Sequence, residues 1–266
     1  FLPNYQVFDE KRYFTAGTQP CVVDIEGVSV GLTICEDIWN PDPAAGAKAA
    51  GAELLINLNA SPFHRGKRRE RWDLVSQRAV SNAFPIVYVN QVGGQDELVF
   101  DGGSFAVNAD GELAAVAPEF EAGAWWLDID TSAGVVITDG PHSEPLDELA
   151  AIWEALVVGV RDYVNKNGFP GVVLGLSGGI DSAVTVAIAV DALGAERVHA
   201  VMMPFRYTAS MSIEDAEEEA RALNIAYRSI SIEPLYEGFM ASLADEFAGL
   251  PANITEENLQ ARCRGV

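Results

Sequence analysis

The sequence predicts an α/β protein in two parts, and three observations support this class. Apolar strand-like segments alternate with helix-like segments along most of the chain. One strand–loop–helix unit, from Val172 to Leu193, carries a Gly-rich loop at its centre. A stretch rich in Gly, Ala and Asp separates this unit from an earlier set of strands and helices. We therefore predict a first domain at 1–130, a linker at 131–146 and a second domain at 147–266.

The composition favours a folded protein and excludes some classes of partner. Hydrophobic residues make up 49% of the 266, enough for a sizeable core. No apolar run approaches the roughly 20 residues that cross a bilayer, so no membrane partner is expected. The net charge of −22 argues against nucleic acid, because a phosphate backbone requires a basic surface. Three widely spaced cysteines without metal-ligand spacing fit a reducing, cytoplasmic compartment.

The first domain is predicted to contain repeated strand and helix segments followed by hairpins. The turn Asn108-Ala-Asp-Gly111 is typical of a hairpin. A further apolar strand is expected at 124–127, with Trp125 and Trp126 packed in the interior. The earlier segments are strands at 28–35, 54–58 and 86–90 and helices at 44–52 and 67–82.

Cys35 lies at the end of the first of these predicted strands. The carboxyl end of a strand is where α/β folds place catalytic groups. A thiol there becomes a nucleophile when a nearby cation stabilises the thiolate. Position alone favours a buried structural cysteine, so both interpretations stay open at this point.

The Gly-rich loop Ser177-Gly-Gly-Ile-Asp-Ser182 joins a strand predicted to be buried, at 172–176, to a helix from about Asp181. Adjacent glycines allow a close backbone approach, and amides at a helix N-terminus favour an anion. Serine hydroxyls add donors, and Asp181 adds a ligand for a cation that neutralises phosphate. There is no Gly-Lys-Ser/Thr ending and no Gly-x-Gly-x-x-Gly. The sequence indicates a pyrophosphate site, with an ordinary Gly-rich turn as the alternative.

Placed after a strand and before a helix, Ser-Gly-Gly-x-Asp-Ser resembles the signature loop of the ATP pyrophosphatase (PP-loop) family. The resemblance implies a Rossmann-like parallel sheet, ATP as substrate, and Mg²⁺ held by Asp181 together with the phosphates. The Met202-Met203-Pro204 segment matches a family loop beside the adenine. The implied ATP-binding residues are Gly175, Leu176, Ser177, Gly178, Gly179, Ile180, Asp181, Ser182 and Met203.

Three segments of the first domain, 2–14, 33–39 and 59–67, carry a second resemblance. Together they are similar to the nitrilase-type glutaminase domain of the glutamine-dependent NAD synthetase family, which precedes a PP-loop domain. The resemblance implies the C-terminal part of an α-β-β-α sandwich, with Cys35 as nucleophile and Glu10 as an additional active-site glutamate. The lysine and glutamate of the family's Glu-Lys-Cys triad fall before Phe1, so we expect a fragment truncated at both ends.

The same resemblance assigns residues that bind substrates. Tyr5, Ser61 and Lys67 match positions that hold glutamine, and Asn258 matches a contact to deamido-NAD. A hydroxyl pair suits the amino-acid ends, and an ammonium suits the α-carboxylate. The neighbouring arginines are interpreted as a solvated charged run: Arg65, Arg68, Arg69 and Arg71.

The implied reaction amidates deamido-NAD to NAD, with ATP giving AMP and pyrophosphate and with ammonia from glutamine. A homo-oligomer through the synthetase domain is also implied. Two alternatives remain: another PP-loop amidotransferase, and a fragment that binds nucleotide without turnover. The first is disfavoured because amidotransferases of that kind use a Cys-His-Glu triad or an N-terminal cysteine, whereas Cys35 is internal.

Overall fold

The computed structural model describes residues 1–4, 8–249, 251 and 254–265. The chain divides into two units, Phe1–Gly159 and Val160–Val266, and each is described by itself. The limits predicted for the two domains and the linker stay a prediction. In the part of the chain described, no helix is both long enough and apolar enough to cross a membrane.

The first unit is built on a six-stranded mixed sheet, with strand order β1-β2-β3-β4-β7-β8. Strands β2, β3 and β4 run parallel, and the other neighbouring pairs are antiparallel. The sheet strands are β1 (Cys21–Ile25), β2 (Val28–Ile34), β3 (Leu54–Asn59), β4 (Ile86–Asn90), β7 (Phe105–Val107) and β8 (Leu113–Val116). Two short antiparallel pairs are β5 (Val92–Gln95) with β6 (Leu98–Asp101), and β9 (Asp128–Asp130) with β10 (Val136–Asp139).

Helices α1 (Pro41–Ala49) and α2 (Lys67–Asn82) belong to the main core of this unit. Leu55, Tyr88 and Phe105 of the sheet are buried in one cluster with Val75 of α2. The α2 limits agree with the predicted helix at 67–82, because its apolar positions recur at helical spacing. Its buried residues are Arg71, Val75 and Ala79, four positions apart.

The prediction for residues 124–127 is wrong: this segment forms no strand, and β9 starts only at Asp128. Trp126 is 85% exposed and Trp125 is 40% exposed, so the pair is not packed in the interior. Adjacent side chains of an extended segment point in opposite directions, so one indole is directed away when the other packs. The Trp125 ring lies over the backbone of Gly123 instead.

The second unit contains a three-stranded parallel sheet, in the order β11-β12-β13. Helices connect the strands, as a Rossmann-like fold requires. The elements are β11 (Val172–Gly175), α4 (Ile180–Leu193), β12 (Val198–Met202), α5 (Ser210–Ala222), β13 (Ala226–Ser229), α6 (Glu233–Ser242) and α7 (Ile254–Arg264). Helix α3 (Glu148–Lys166) precedes them and contains the division between the units.

The strand predicted to be buried at 172–176 is only half-buried. Among the described residues β11 pairs with β12 alone, and Val173 is 73% exposed. Leu176, just after the strand, is buried, and its amide donates to the Val201 carbonyl at 3.0 Å. The burial of an edge strand depends on its neighbours in the sheet, which its own residues do not encode.

Leu55→Ala should lower the free energy of unfolding of the first unit by about 3 kcal/mol, since Leu55 is fully buried in the core. Leu149→Ala is the control, because Leu149 is 79% exposed; its effect should stay within about 0.5 kcal/mol. All five tryptophans lie before residue 160, so tryptophan fluorescence in a urea titration reports this unit. Equal effects of the two substitutions would contradict the assigned core.

Candidate active site and nucleotide-binding loop

Cys35 follows directly after the parallel strand β2 and begins a 3₁₀-helical turn, Cys35–Trp39. Its φ of 44° lies in the left-handed region, which is strained for a residue other than glycine. The Asp37 carboxylate accepts a hydrogen bond from the Ile34 amide at 2.9 Å and thereby closes the turn. A sharp strained turn after a strand is the arrangement that presents a nucleophile in α/β enzymes.

The surroundings of the thiol keep it protonated. Burial raises the pKa of Cys35 above its ordinary value, and the carboxylates of Glu36 and Asp37 add to this effect. A hydrogen bond with the Ala60 backbone and the charge of Arg71 lower the pKa, but by less. At neutral pH the described environment therefore favours the thiol over the thiolate, and a further cation would be needed to activate it.

Ser61 is buried next to Ala60, and a network of side chains holds its backbone and its hydroxyl. Arg71 donates from Nε to Ser61 Oγ at 3.2 Å and from Nη2 to the Ser61 carbonyl at 2.8 Å. Arg71 also makes a bidentate ion pair with Asp101, at 2.9 and 2.8 Å. Asn90 completes the network by accepting from the Ser61 amide at 2.9 Å.

Lys67 lies at the start of α2, and only 17% of its side chain is exposed. Its Nζ lies 3.9 Å from the centroid of the Trp39 ring. Trp39 is the last residue of the turn that begins at Cys35. The same nitrogen is 3.3 Å from a carboxylate oxygen of Glu70. Cation–π contact with Trp39 therefore keeps this ammonium beside the turn that starts at Cys35.

Thus the structure links Cys35, Ser61 and Lys67 through Ala60, Arg71 and Trp39. It gives no such link for the other two predicted residues of this site. Glu10 lies in a 3₁₀ turn, Glu10–Arg12, and its side chain has no hydrogen bond or ion pair to Cys35, Ser61 or Lys67 in the described part of the chain. Tyr5 lies outside the described residues.

The interpretation of Arg68 and Arg71 as solvated surface charges is wrong. Arg71 is 3% exposed and pairs with Asp101, whereas Arg68 donates to Glu119 at 2.7 Å and to the Leu146 carbonyl at 2.9 Å. The sequence does contain a signal that Arg71 is buried: it lies four residues before Val75, on the apolar stripe of α2. A charged residue on such a stripe is buried only with a partner.

Two further buried polar residues of this region, Asn57 and Tyr88, were not predicted from the sequence. Asn57 donates to the Thr33 hydroxyl at 3.0 Å. Tyr88 is 1% exposed, and its hydroxyl lies near the Ser61 side chain. Burial raises the pKa of Tyr88 to about 12, so it stays neutral. These residues sit in otherwise apolar strands, where single polar positions carry no motif.

In the second unit, the loop 177–182 is held by its own serines. Ser177 donates its amide to Ser182 Oγ at 3.1 Å, and Ser182 donates its hydroxyl to the Gly179 carbonyl at 2.9 Å. The two hydroxyl oxygens are 3.0 Å apart. The hydroxyl hydrogen of Ser182 is therefore used inside the loop, so the ligand donors there are mainly backbone amides.

Gly178 has a structural reason to be glycine. Its φ is +76°, and a Cβ there would lie 2.1 Å from the Ser212 carbonyl oxygen near the start of α5. Any side chain at this position would push the loop away from α5. The close approach fixes the path of the loop before it enters α4.

The N-terminus of α4 is open to a ligand. The first intrahelical bond comes from the Ala183 amide to the Gly179 carbonyl, which leaves the amides of residues 180–182 without intrahelical acceptors. Ile180 is 75% exposed, and Asp181 is exposed as well. These amides and the helix dipole favour an anion such as phosphate.

Asp181 is the one carboxylate of this loop. Within the described residues no group of three or more His, Cys, Asp or Glu side chains is arranged to hold a metal ion. Mg²⁺ commonly uses one or two carboxylates together with substrate phosphates and water. An exposed aspartate beside a helix N-terminus that favours anions is compatible with that mode of binding.

Met203 lies beside the end of β11 and beside α7. A Cβ on Gly175 would be 3.2 Å from the Met203 Cε, and the Met203 carbonyl accepts from Arg264 Nε at 3.3 Å. Cys263 of α7 is buried with Phe205 in the same cluster. Asn258, on α7, is exposed. The predicted ATP-binding residues are thus contiguous, and α7 is anchored beside them by its C-terminal end.

Two family models match the chain. A carbon–nitrogen hydrolase model matches residues 2–137, just over half of the chain, and an NAD synthase model matches residues 152–266. The chain therefore belongs to the carbon–nitrogen hydrolase family.

The whole chain is similar to glutamine-dependent NAD(+) synthetases. Identity to the Acinetobacter baylyi protein is 47% over 266 residues, 99% of this chain and 49% of that protein. Identity to the Xanthomonas campestris pv. campestris protein is 49% over 274 residues, 100% of this chain and 49% of that protein. The structure of the Acinetobacter baumannii synthetase in complex with ADP matches with a TM-score of 0.94 at 47% identity, over 100% of this chain and 50% of that chain.

The chain spans about half the length of the curated relatives it matches. The matches confirm both predicted resemblances and the predicted fold class, a nitrilase-like domain followed by an NAD synthase domain. The roles of the individual site residues stay predictions.

Iodoacetamide should label Cys35 several-fold more slowly than Cys21 in the 266-residue chain at pH 8. Burial raises the pKa of Cys35, so its thiolate fraction is smaller at any given pH, and access is also restricted. Cys21 is exposed and serves as the reference, while buried Cys263 should stay unlabelled. Mass spectrometry of the three cysteine peptides gives the rates. Faster labelling of Cys35 than of Cys21 would show that the thiol is already activated.

Proposed function

We propose that the chain is part of an enzyme that makes NAD from deamido-NAD, with ammonia taken from glutamine and with ATP as the energy source. The observation that carries the proposal is the combination on one chain of a strained cysteine turn and an open Ser-Gly-Gly-x-Asp-Ser loop. Similarity to glutamine-dependent NAD(+) synthetases along 99% of the chain supports the same combination. A function as a carbon–nitrogen hydrolase alone would not explain the Ser-Gly-Gly-x-Asp-Ser loop at residues 177–182.

In the first unit, Cys35 attacks the side-chain amide of glutamine and forms a glutamyl thioester with release of ammonia. Water then hydrolyses the thioester, which releases glutamate and restores the thiol. Lys67 binds the α-carboxylate by its charge, while Ser61 and Tyr5 contribute hydroxyl groups. Glu10 is proposed as an additional active-site carboxylate. Because the described environment raises the pKa of Cys35, activation requires a cation not provided by these residues.

In the second unit, the amides at the start of α4 bind the phosphates of ATP, and residues 175–177 with Met203 adjoin the adenosine. Asp181 would hold Mg²⁺, which when bound neutralises phosphate charge. Asn258 contacts deamido-NAD. Transfer of AMP from ATP to the nicotinate carboxylate releases pyrophosphate and replaces a poor leaving group by a good one. Ammonia then displaces AMP and forms the amide.

The alternative of another PP-loop amidotransferase finds no support at Cys35. An enzyme with a Cys-His-Glu triad needs a histidine beside the nucleophile, and His64 instead contacts the Arg65 carbonyl and Glu70. We further propose a cytoplasmic enzyme that is homo-oligomeric through its synthetase domain.

Cys35→Ala in the full-length protein should abolish NAD formation from glutamine and leave formation from ammonium salts within about twofold of the wild type. The substitution removes the proposed nucleophile and leaves every residue of the second unit unchanged. NAD is quantified with either nitrogen source, and Cys21→Ala, at an exposed position, should preserve both rates. Loss of both activities in Cys35→Ala would refute the division of labour.

Asp181→Asn should reduce deamido-NAD-dependent ATP–pyrophosphate exchange at least tenfold, because the loop then loses its only carboxylate. Glutamine hydrolysis measured in parallel should fall much less. Glu196→Gln removes one exposed charge elsewhere in the same unit and is the matched control. Exchange that is unchanged by Asp181→Asn would argue against a metal ligand at this position.

A further inference from the structure

The ion pair between Arg71 and Asp101 is the most deeply buried pair of opposite charges among the described residues of the first unit. Both side chains are at most 3% exposed. Burying two charges is costly, and well-packed apolar residues are often as stable in the same place. The pair therefore calls for an explanation other than stability, and its contacts provide one.

All polar groups of Ser61 are bound by this pair or by its partner Asn90. Arg71 binds the Ser61 hydroxyl oxygen and carbonyl, and it also donates to the Pro62 carbonyl at 3.2 Å. Asn90 accepts from the Ser61 amide and donates to Asp101 Oδ1 at 3.4 Å. The segment 60–62 is thus fixed by α2, β4 and β6 together.

The hydrogen bond from Arg71 also determines whether the Ser61 hydroxyl acts as a donor or as an acceptor toward other groups. A guanidinium has only donors, so Ser61 Oγ is the acceptor in that bond. Its own hydrogen is therefore available for donation, and the Tyr88 hydroxyl, which interacts with the Ser61 side chain, is one acceptor close by. A bound glutamine would offer two further acceptors, the α-carboxylate and the side-chain amide oxygen.

Next to Ser61, the Ala60 backbone interacts with the Cys35 thiol. One arginine therefore controls two neighbouring elements of the site: the backbone group at the nucleophile and the hydroxyl assigned to glutamine. Arg71 itself is buried and is not assigned a contact with substrate.

We propose that the Arg71–Asp101 pair is a positioning device for glutamine hydrolysis: it holds residues 60–62 so that Ala60 lies at Cys35 and Ser61 is presented to glutamine as a hydrogen-bond donor. This inference rests on the proposed glutaminase function of the first unit.

The geometry of Arg71 and its charge are separable by substitution. Lysine keeps the positive charge, but a single ammonium cannot reach Asp101, the two acceptors of Ser61 and Pro62 from one position. Methionine fills a similar volume and removes both the charge and the bonds. Asp101→Asn keeps the shape of the acceptor and releases Arg71 from its charge partner.

The experiment measures NAD formation by the full-length protein with glutamine or with ammonium as nitrogen source. Arg71→Lys, Arg71→Met and Asp101→Asn should each raise the KM for glutamine about tenfold or more, with ammonium-driven rates kept within about twofold. The double variant Arg71→Met/Asp101→Asn should be no worse than the poorer single variant, because the pair acts as one unit.

Arg68→Met is the matched control. Arg68 is on the same helix, three residues away, and it also makes an ion pair, with Glu119. None of its contacts involves residues 60–62. The KM of the Arg68→Met variant for glutamine should therefore equal that of the wild type.

A pH profile distinguishes positioning from general damage to the fold. Inactivation by iodoacetamide follows the thiolate of Cys35. Arg71→Lys should keep the midpoint of this profile, because the charge stays, whereas Arg71→Met should move it to higher pH, because a nearby cation lowers the pKa of the thiol.

An unchanged KM in both Arg71→Lys and Asp101→Asn would overturn the positioning role, as would an equal loss in Arg68→Met. Arg71→Lys conserves the charge and Asp101→Asn conserves the shape, so these two variants still test the proposal if Arg71→Met fails to fold. Failure of the wild type to use glutamine while it uses ammonium would instead refute the proposed glutaminase function, and the inference with it.

Discussion

Both candidate functional loops depend on one constraint, the exit of the chain from the carboxyl end of a parallel strand. In a parallel sheet these ends lie on the same edge, and the backbone there must turn sharply toward a helix. The turn after β2 carries Cys35, and the turn after β11 carries residues 177–182. In each unit, the sheet supplies a rigid base and the turn supplies the chemistry.

The two turns meet the steric demand of this exit in different ways. Gly178 accepts a positive φ without strain, and the carbonyl of Ser212 leaves no space for a side chain. Cys35 accepts a similar φ although it has a Cβ, and the network of the turn, including the Asp37–Ile34 bond, has to hold it there. Phosphate binding, the role proposed for residues 177–182, needs only backbone amides, so glycine suffices. A nucleophile, the role proposed for Cys35, needs its side chain, so the strain is kept.

The sequence alone predicts those features that are encoded locally. The limits of α2 follow from the periodicity of its apolar residues. The position of the Ser-Gly-Gly-x-Asp-Ser loop follows from a continuous motif between a predicted strand and a predicted helix. Features that depend on distant partners were not predictable in this way. Arg71 belongs to a run of basic residues that resembles a solvated surface, and its partner Asp101 lies 30 positions away. The exposure of β11 likewise depends on which strands flank it, and the exposure of Trp126 on where β9 begins.

Arg71 also shows why buried charge near a site is informative. A charged residue on the apolar stripe of α2 conflicts with local rules, and such conflicts tend to mark functional sites. Its bonds do not extend the hydrophobic core; they converge on Ser61, Pro62 and Asp101. The same charge lowers the pKa of Cys35 against the larger effect of burial. One side chain thus couples the geometry of residues 60–62, the proposed substrate segment, to the pKa of Cys35, the proposed nucleophile. A lysine at this position would preserve only the effect on the pKa.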